Sequence, residues 1–363
     1  MTKLDGLRKR IDSIDRQLVE LLDRRAALAK QVGEYKRKHG LDSYDPARQK
    51  TILSRVMERG RGLFPSTGLK AVFTEIMSHC LALEKAAKVG YLGPPATFTH
   101  IAAATEFGSA AGYEPRDTIN DLFLAVEKED VEYAVVPVEN STGGVVHTTL
   151  DMFLDFDVRI CSEILMAITH NLVARCRLGQ IRRVYSNPQP FSQCAGWLTR
   201  HLPNAERIET ATTVKGVQMA AQEKYAAAIA SELAARMYKL KIVASGIEDT
   251  HWNSTRFWVI GKKVCPPTGN DKTSLMFSVK DRPGALFNLL KPFATQGINL
   301  TKIESRPTRR KAWEYVFFVD LQGHINDALV QAALKEIEPH CVFVRVLGSY
   351  PLEVRPRSES EYR

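Results

Sequence analysis

The N-terminal segment constrains the fold of this chain most strongly. Its apolar residues recur at steps of three and four, which is the pattern of an amphipathic α-helix. These residues are Leu4, Leu7, Ile11, Ile14, Leu18, Leu21, Leu28 and Val32. A helix of about 30 residues is about 45 Å long. Because a straight helix cannot cover its own apolar stripe, the segment predicts packing against other helices or against a second chain.

Two further helices are predicted before residue 87. Gly40 allows the first helix to end, and Asp45-Pro46 provides an N-cap followed by a first-turn proline. The second helix is predicted to run to about Met57. After a loop at 60–68, a third helix is predicted from Leu69 to about Lys85. Residues 1–86 therefore read as an all-α helical module.

The periodicity changes at Lys88, where short apolar runs begin to alternate with helical segments. The predicted strands are 88–93, 132–138, 158–168, 183–186, 226–229, 241–245 and 257–260, and the predicted helices are 96–107, 121–127, 191–202, 214–222 and 231–238. This alternation predicts a two-lobed α/β catalytic domain over 87–264, with a ligand cleft between the lobes.

A Pro- and Gly-containing linker at 264–271 precedes a third pattern over 272–350. Its predicted elements are strand 274–279, helix 284–294, strands 299–305 and 313–321, helix 327–337 and strand 341–347. The order βαββαβ predicts a ferredoxin-like α+β domain. The whole chain is thus expected to be a multidomain protein of three modules.

Several classes of protein are disfavoured by absent motifs. The six cysteines contain no CxxC pair, the histidines form no HExxH, and no GxGxxG follows a predicted strand. No metal and no cofactor are therefore expected. No run of eighteen apolar residues occurs, so no membrane partner is expected, and the scattered cysteines favour a reducing, cytoplasmic setting.

The formal net charge of +9 allows two interpretations. One is nucleic-acid binding; the other is solvated helix faces with a few arginines reserved for acidic small molecules. The basic clusters at 24–25, 182–183 and 309–311 are far apart, with acidic residues between them. This distribution favours the second interpretation, without a nucleic-acid partner.

The basic residues of the first helix fall into two groups. Arg25 and Lys36 are eleven residues apart, which places them about 20° from alignment on one helix face. Arg8 lies seventeen residues before Arg25, about 100° around the helix and roughly 25 Å along it. Arg8 is therefore either a surface charge or a contribution to a neighbouring protomer's site.

LRKRIDSIDRQLVELLDRRAALAKQVGEYK, followed by DPARQ and IMSHCLALE, resembles the all-helical chorismate mutase family. The resemblance implies an intertwined dimer that rearranges chorismate to prephenate. It implies substrate contacts from Arg8 of the partner and from Arg25, Lys36, Asp45, Arg48, Gln49, Cys80 and Glu84. Lys36 would face the breaking ether oxygen, and Glu84 would act there as a protonated donor. Gln49 and Cys80 depart from the glutamate and the serine found in relatives.

PVENSTGG at 137–144, SNPQPFSQC at 186–194 and NSTRF at 253–257 together resemble prephenate dehydratases. The resemblance implies that Thr255 is the central catalytic residue, with a hydrogen bond to the leaving ring hydroxyl. Arg256 would bind a substrate carboxylate or form a structural salt bridge. Residues implied to line the cleft are Glu139, Asn140, Ser141, Ser186 and Gln193. Asn187 replaces the family's usual histidine and is assigned no catalytic part.

DRPGALFNLL at 281–290 and KIESRPTRR at 302–310 resemble the ligand motifs of amino-acid-binding ACT domains. The resemblance implies a regulatory phenylalanine site at a dimer interface. Its expected residues are Gly284, Ala285, Leu286, Asn299, Glu304 and Ser305. Phe287 departs from the usual valine, and a purely structural dimerisation domain is the alternative.

The sequence therefore predicts a bifunctional enzyme that converts chorismate through prephenate to phenylpyruvate, as a homodimer or higher homo-oligomer inhibited by phenylalanine. Two alternatives stay open. One is an enzyme in which only one of the two activities is functional, for example because Gln49 weakens the mutase. The other is a ligand-binding regulator without catalysis.

Overall fold

A computed structural model of the chain describes residues 2–41, 43–60, 62–250, 252–279, 283–307 and 315–353. The basic cluster at 309–311 and the start of the DRPG motif lie outside these residues. The chain divides into two compact units, which are described separately. One comprises residues 1–88 with 104–112, and the other comprises 89–103 with 113–363.

The helices and strands are numbered in chain order. The helices are α1 Lys3–Lys38, α2 Pro46–Arg59, α3 Ser66–Lys85, α4 Phe98–Phe107, α5 Ile119–Glu127, α6 His147–Met152, α7 Pro188–Gln193, α8 Ala195–His201, α9 Thr213–Gln222, α10 Glu232–Met237, α11 Ala285–Thr295 and α12 Ala328–Ile337. The strands are β1 Lys88–Leu92, β2 Gly112–Arg116, β3 Tyr133–Asn140, β4 Gly144–Val145, β5 Arg159–Ala167, β6 Asn171–Ala174, β7 Arg183–Ser186, β8 Glu206–Glu209, β9 Ala226–Ala230, β10 Lys241–Ala244, β11 Ser254–Gly261, β12 Asp271–Val279, β13 Leu300–Pro307, β14 Tyr315–Gln322 and β15 Cys341–Pro351.

The first unit is built on α1, α2 and α3, which confirms the predicted all-α module. A capping box opens α1, because Thr2 and Asp5 each accept a hydrogen bond from the other's backbone N–H. The Asp45 carboxylate caps α2 by accepting from the Arg48 N–H at 2.9 Å, and Pro46 occupies the first turn.

The eight apolar residues of α1 named above form its apolar seam. They are between 47% and 62% exposed in the single chain. Gly33 is the only buried residue among those described in α1. The chain itself therefore leaves most of this seam uncovered.

The second unit begins with a mixed sheet of order β2-β1-β3-β11-β5, in which β4 pairs with the outer end of β3. Strand β1 runs parallel to β3, whereas β11 is antiparallel to both β3 and β5. A second sheet of order β10-β6-β9-β7-β8 forms the other lobe. These two sheets confirm the expected two-lobed α/β domain.

The C-terminal sheet has the order β13-β14-β12-β15 and carries α11 and α12 on one face, as a ferredoxin-like domain requires. Its other face shares a hydrophobic core with the first lobe. In that core Trp258 and Ile160 lie in one cluster with Met276, Phe318 and Tyr350. Gly348 allows the closest approach, because a Cβ there would lie 2.2 Å from the Ile160 carbonyl oxygen.

Four strands were not predicted from the sequence, and β4, with two residues, is the shortest of them. Strand β2 contains Pro115 and β8 has the charged sequence ERIE, and both are edge strands, where apolar alternation is weak. Strand β6 has only four residues. The helix predicted at 191–202 is instead two short helices, α7 and α8, that meet at Cys194.

None of the described helices has the length and apolar content needed to cross a membrane. Within the same residues no cluster of His, Cys, Asp and Glu is arranged to hold a metal ion.

Candidate active sites

The first candidate site lies between α1 and α3. The Arg25 guanidinium donates from Nη1 to Sγ of Cys80 at 2.8 Å, and both side chains are at least partly buried. Eleven residues further along α1, the Lys36 ammonium donates to the carbonyl oxygen of Ser43 at 2.8 Å. The pairing of Arg25 with Cys80 places two of the predicted substrate residues in direct contact.

Glu84 lies against a glycine that the sequence analysis did not single out. A Cβ on Gly33 would lie 2.4 Å from Cγ of Glu84, so any larger residue there would displace the carboxyl group. A glycine inside a helix costs about 0.5–1 kcal/mol relative to alanine. A glycine inside a helix with regular apolar periodicity is therefore the sequence signal that could have identified this position.

The carboxyl group of Glu84 has an environment that favours the neutral form. Its Oε2 is buried and has no hydrogen-bond partner among the described residues. Burial raises the pKa of Glu84, and the positive charges of Lys36 and Arg37 oppose this shift only in part.

The remaining predicted residues of this module are more dispersed. Arg8 and Arg48 are exposed, and Asp45 is engaged as the cap of α2. The Gln49 amide donates from Nε2 to the carbonyl oxygen of Glu106 at 2.8 Å. An ionised glutamate at position 49 could not make this bond, because it has no donor.

The second candidate site is built on β3 and β11, which pair so that Asn140 lies opposite Thr255 and Glu139 lies opposite Arg256. Successive residues of a strand point to opposite faces of the sheet. One pair of opposed residues therefore faces the interlobe cleft, and the neighbouring pair faces the C-terminal domain.

On the cleft side, Asn140 organises a hydrogen-bond network. Its Oδ1 accepts from the backbone N–H groups of Thr142 (3.1 Å) and Gly143 (2.7 Å), which fixes the orientation of the amide. Its Nδ2 consequently donates to Oγ1 of Thr255 at 2.9 Å and to Oδ1 of Asn253 at 2.8 Å. Since Thr255 accepts this bond, its own hydroxyl hydrogen is available to a ligand.

Gln193 extends the network towards a histidine. Its Nε2 donates to Oδ1 of Asn140 at 3.2 Å, so its Oε1 faces Nε2 of His170, at 2.7 Å. His170 is 2% exposed, and burial lowers its pKa, although Gln193 and Glu248 oppose this shift. His170 was missed by the sequence analysis, since a lone histidine after an apolar strand carries no distinguishing pattern.

Two adjoining cavities lie beside this network. The smaller, of about 230 Å³, is lined by Asn140, His170, Gln193 and Thr255, together with residues 92–93, 97–99, 168, 187, 189–190 and 211–213. The larger, of about 430 Å³, is lined by residues 142–143, 188–189, 192–193, 248–250 and Asn253. The smaller cavity has no Lys, Arg, Asp or Glu in its lining.

The N-termini of two helices border the smaller cavity. Residues 97–99 at the start of α4 and residues 212–213 at the start of α9 belong to its lining, and Thr212 caps α9. Unpaired backbone N–H groups and the helix dipole favour anions at such positions. The cavity therefore offers sites for carboxylates although its lining is uncharged.

Arg256 lies on the other face of the sheet, in a buried ion cluster. Its guanidinium donates to Glu163, to Asp320 at 2.6 Å and to the Tyr350 hydroxyl at 3.1 Å. Burial by itself would lower the pKa of Arg256, but Tyr350, Asp320 and Glu163 raise it overall, so the group stays charged. The structural salt bridge that the sequence left open is thus the arrangement found, rather than a carboxylate-binding arginine in the cleft.

Glu139 is likewise directed away from the cavities, and the Lys302 ammonium of β13 donates to its carboxylate at 2.7 Å. A second bridge between the domains joins Arg306 to Asp151 through two bonds of 3.1 and 2.9 Å. The face that carries Glu139 and Arg256 is therefore bonded directly to the C-terminal domain.

The two predicted serines have different surroundings. The Ser141 hydroxyl donates to the Trp252 carbonyl oxygen and accepts from the Ser254 N–H, both at 3.0 Å, and so ties together the loops after β3 and before β11. Ser186 is fully buried, with no partner for its hydroxyl among the described residues. Neither serine belongs to the lining of the two cavities.

The predicted effector residues are divided between two elements. Gly284 precedes α11 with φ of 76°, a left-handed conformation that glycine adopts readily, and Ala285 and Leu286 form the first turn. Asn299 and Ser305 are exposed. Glu304 instead faces the catalytic lobe, with its Oε1 3.9 Å from Nδ1 of His147.

Comparison with known proteins gives three family matches in chain order. The chorismate mutase type II family matches residues 7–85, the prephenate dehydratase family 89–265 and the ACT domain family 273–339. The prephenate dehydratase structure from Arthrobacter aurescens, in complex with L-Phe, is 34% identical with a TM-score of 0.68, covering 73% of this chain and 90% of that chain.

Two relatives match almost the whole chain. The bifunctional chorismate mutase/prephenate dehydratase of Aquifex aeolicus is 48% identical over 97% of this chain and 98% of its own length. That of Pseudomonas aeruginosa is 42% identical over the same shares of both chains.

The fold, the cleft and the matched families define a multidomain enzyme in which a helical mutase module precedes a dehydratase and an ACT domain. The chain belongs to the family of bifunctional chorismate mutase/prephenate dehydratases.

Proposed function

We propose that this enzyme rearranges chorismate to prephenate in its helical module and converts prephenate to phenylpyruvate in its α/β cleft, under inhibition by phenylalanine. The hydrogen-bond network that orients Thr255 towards an uncharged cavity is the observation that supports the dehydratase part most directly. The proposed functional divisions are 1–86, 87–264 and 272–350. The six free thiols suit the cytoplasm, which is the proposed location.

The mutase reaction is a unimolecular rearrangement and needs no nucleophile or base. The protein has to hold a compact conformer and to stabilise negative charge on the ether oxygen. Arg25 supplies a cation for a substrate carboxylate, and Lys36 and Glu84 supply donors for the ether oxygen. In this scheme Cys80 orients Arg25, since the two side chains are in contact.

We expect mutase activity to fall as pH rises through the raised pKa of Glu84. The protonated carboxyl donates a hydrogen bond below that pKa, and the carboxylate that forms above it repels the developing charge. Glu84→Gln keeps an N–H donor that does not titrate, so its pH profile should be flat. Chorismate consumption against pH measures this, with exposed Glu34→Gln as the control. An equal fall in wild type and Glu84→Gln would contradict the assignment.

A second copy of the chain is proposed to cover the apolar seam of α1. The seam runs along a helix of 36 residues, and the single chain leaves it about half exposed. A partner helix on this seam would also bring the partner's Arg8 towards the Arg25 site, which the same chain's Arg8 cannot reach. The proposed assembly is a homodimer or a larger homo-oligomer.

The dehydratase reaction breaks two bonds of prephenate. The electron pair of the bond to the ring carboxylate enters the ring and releases carbon dioxide, while the C–O pair leaves on the hydroxyl oxygen. That oxygen takes up one proton and departs as water. Thr255 donates a hydrogen bond to it, and the bond strengthens as negative charge develops there.

The carboxylates of prephenate are proposed to bind at the helix N-termini around the smaller cavity. Arg256 is committed to Glu163, Asp320 and Tyr350 on the other face, and the cavity lining contributes no cation. Backbone N–H groups at the start of α4 and α9, with hydroxyls such as Thr97 and Thr213 nearby, provide the required donors.

Phenylalanine is proposed to bind the ACT domain at the start of α11 and on the exposed side of β13. We expect Ser305→Leu to raise the phenylalanine concentration for half-inhibition at least about tenfold, because filling this exposed position blocks the ligand without touching the core. The dehydratase kcat without phenylalanine should be unchanged. Thr295→Leu, at the far end of α11, is the control. Unaltered inhibition of Ser305→Leu would contradict the assignment of this site.

A further inference from the structure

Of the buried side-chain atoms without a hydrogen-bond partner among the described residues, Nδ1 of His170 is the one whose residue lines the cavity with Thr255. The imidazole is 2% exposed and lines the same cavity as Thr255, yet its Nδ1 has no hydrogen-bond partner among the described residues. A buried polar atom without a partner is unfavourable. A ligand that satisfies it would remove this cost on binding.

The tautomer of His170 follows from a chain of hydrogen bonds that begins at the backbone. The N–H groups of Thr142 and Gly143 can only donate, so they fix Oδ1 of Asn140. Because Oδ1 of Asn140 is an acceptor, the group of Gln193 that contacts it must be the NH₂ group. Oε1 of Gln193 then faces Nε2 of His170. Nε2 must therefore carry the hydrogen, and Nδ1 presents a bare lone pair.

The charge state agrees with this tautomer. Burial is the largest influence on the pKa of His170 and lowers it, and it outweighs the opposite effects of Gln193 and Glu248. The imidazole is then neutral at pH 7, so Nδ1 accepts hydrogen bonds and does not donate them.

Prephenate offers one matching group. Its two carboxylates are ionised at neutral pH and its keto oxygen only accepts, so the ring hydroxyl is its single hydrogen-bond donor. We propose that His170 is a substrate-contacting residue whose Nδ1 accepts the hydrogen of the prephenate ring hydroxyl while Thr255 donates to the oxygen. This inference rests on the proposed dehydratase function and adds the group that recognises the leaving hydroxyl.

The two contacts should affect different kinetic constants. As the C–O bond breaks, the oxygen gains negative charge, so the bond from Thr255 strengthens, whereas the hydrogen that His170 accepts stays on the oxygen and its bond is made in both states. An interaction that is equally strong in the ground state and in the transition state lowers KM without raising kcat. His170 therefore contributes to prephenate binding, and Thr255 contributes to turnover.

His170→Gln tests the role of Nδ1, because the glutamine Nε2 can still donate to Gln193 while the Nδ1 acceptor is lost. We expect KM for prephenate to rise about tenfold, the equivalent of one hydrogen bond of about 1.4 kcal/mol, with kcat within about twofold of wild type. His170→Asn is the complementary variant, since its Oδ1 can replace Nδ1 but the shorter side chain does not reach Gln193. It should keep KM and lower kcat.

Phenylpyruvate lacks the ring hydroxyl and separates recognition from a structural role. Its inhibition constant as a product should be the same for wild type and His170→Gln, whereas a distorted cleft would weaken substrate and product together. Mutase activity of the same chain reports folding. An unchanged KM for His170→Gln, or equal losses for prephenate and phenylpyruvate, would overturn the inference. If wild type failed to turn over prephenate, the proposed function itself would fail instead.

Discussion

Thr255→Ala is expected to lower the dehydratase kcat at least about 100-fold, because it removes a donor that stabilises the departing oxygen. The hydroxyl is held by Asn140, whose amide is fixed by two backbone N–H groups, so no neighbouring side chain can take its place without reorganising the network. Mutase activity should stay at the wild-type level. The measurement is the formation of phenylpyruvate from prephenate, followed by ultraviolet absorbance.

Thr255→Ser is the matched control for this prediction. It keeps the hydroxyl and removes one methyl group, so we expect it to retain activity within about tenfold of wild type. Comparable activity in Thr255→Ala and wild type would show that the hydroxyl takes no part in the reaction.

Arg256→Met is expected to destabilise the catalytic and ACT domains by about 3–5 kcal/mol, which is the usual effect of removing one partner of a buried ion pair. Glu163 would keep Lys272 at 2.8 Å, whereas Asp320 would keep only the Ser274 hydroxyl at 2.6 Å. Thermal unfolding followed by circular dichroism should show a fall in Tm of roughly 10 °C.

The exposed Arg183 provides a control for Arg256, since it also bonds two carboxylates, those of Glu206 and Glu223. Arg183→Met should leave Tm nearly unchanged, because exposed ion pairs contribute little. An unchanged Tm for Arg256→Met, with a raised KM for prephenate, would instead indicate that Arg256 binds substrate.

The sequence was sufficient for the architecture because each module has a strong local signal. The periodic apolar residues of α1, the Asp45-Pro46 cap and the βαββαβ order all act over short stretches of chain. Edge strands such as β2 and β8 were missed. An edge strand pairs with only one neighbour and is exposed to solvent, so its sequence needs little apolar alternation.

The sites were harder to predict because they depend on which face of a strand each residue occupies. Neighbours such as Thr255 and Arg256 form one motif in sequence, yet they belong to different environments on either side of the sheet. His170 and Gly33 acquire their importance only from distant partners, Gln193 and Glu84. No single-sequence pattern encodes such pairings.

Because β3 and β11 present different residues on their two faces, the ACT domain bonds directly to the strands that carry Asn140 and Thr255. Lys302 and Asp320 bond Glu139 and Arg256, the immediate neighbours of Asn140 and Thr255. The ACT sheet is therefore bonded to the residues that adjoin the proposed catalytic pair on each strand.

The most direct test of two separate active sites on one chain is complementation between two variants supplied with chorismate. Lys36→Ala should lack the mutase and Thr255→Ala the dehydratase, so neither should form phenylpyruvate alone, and Thr255→Ala should accumulate prephenate. A mixture of the two purified proteins should restore phenylpyruvate formation. Phenylpyruvate from either variant alone, or none from a mixture of correctly folded proteins, would contradict the account.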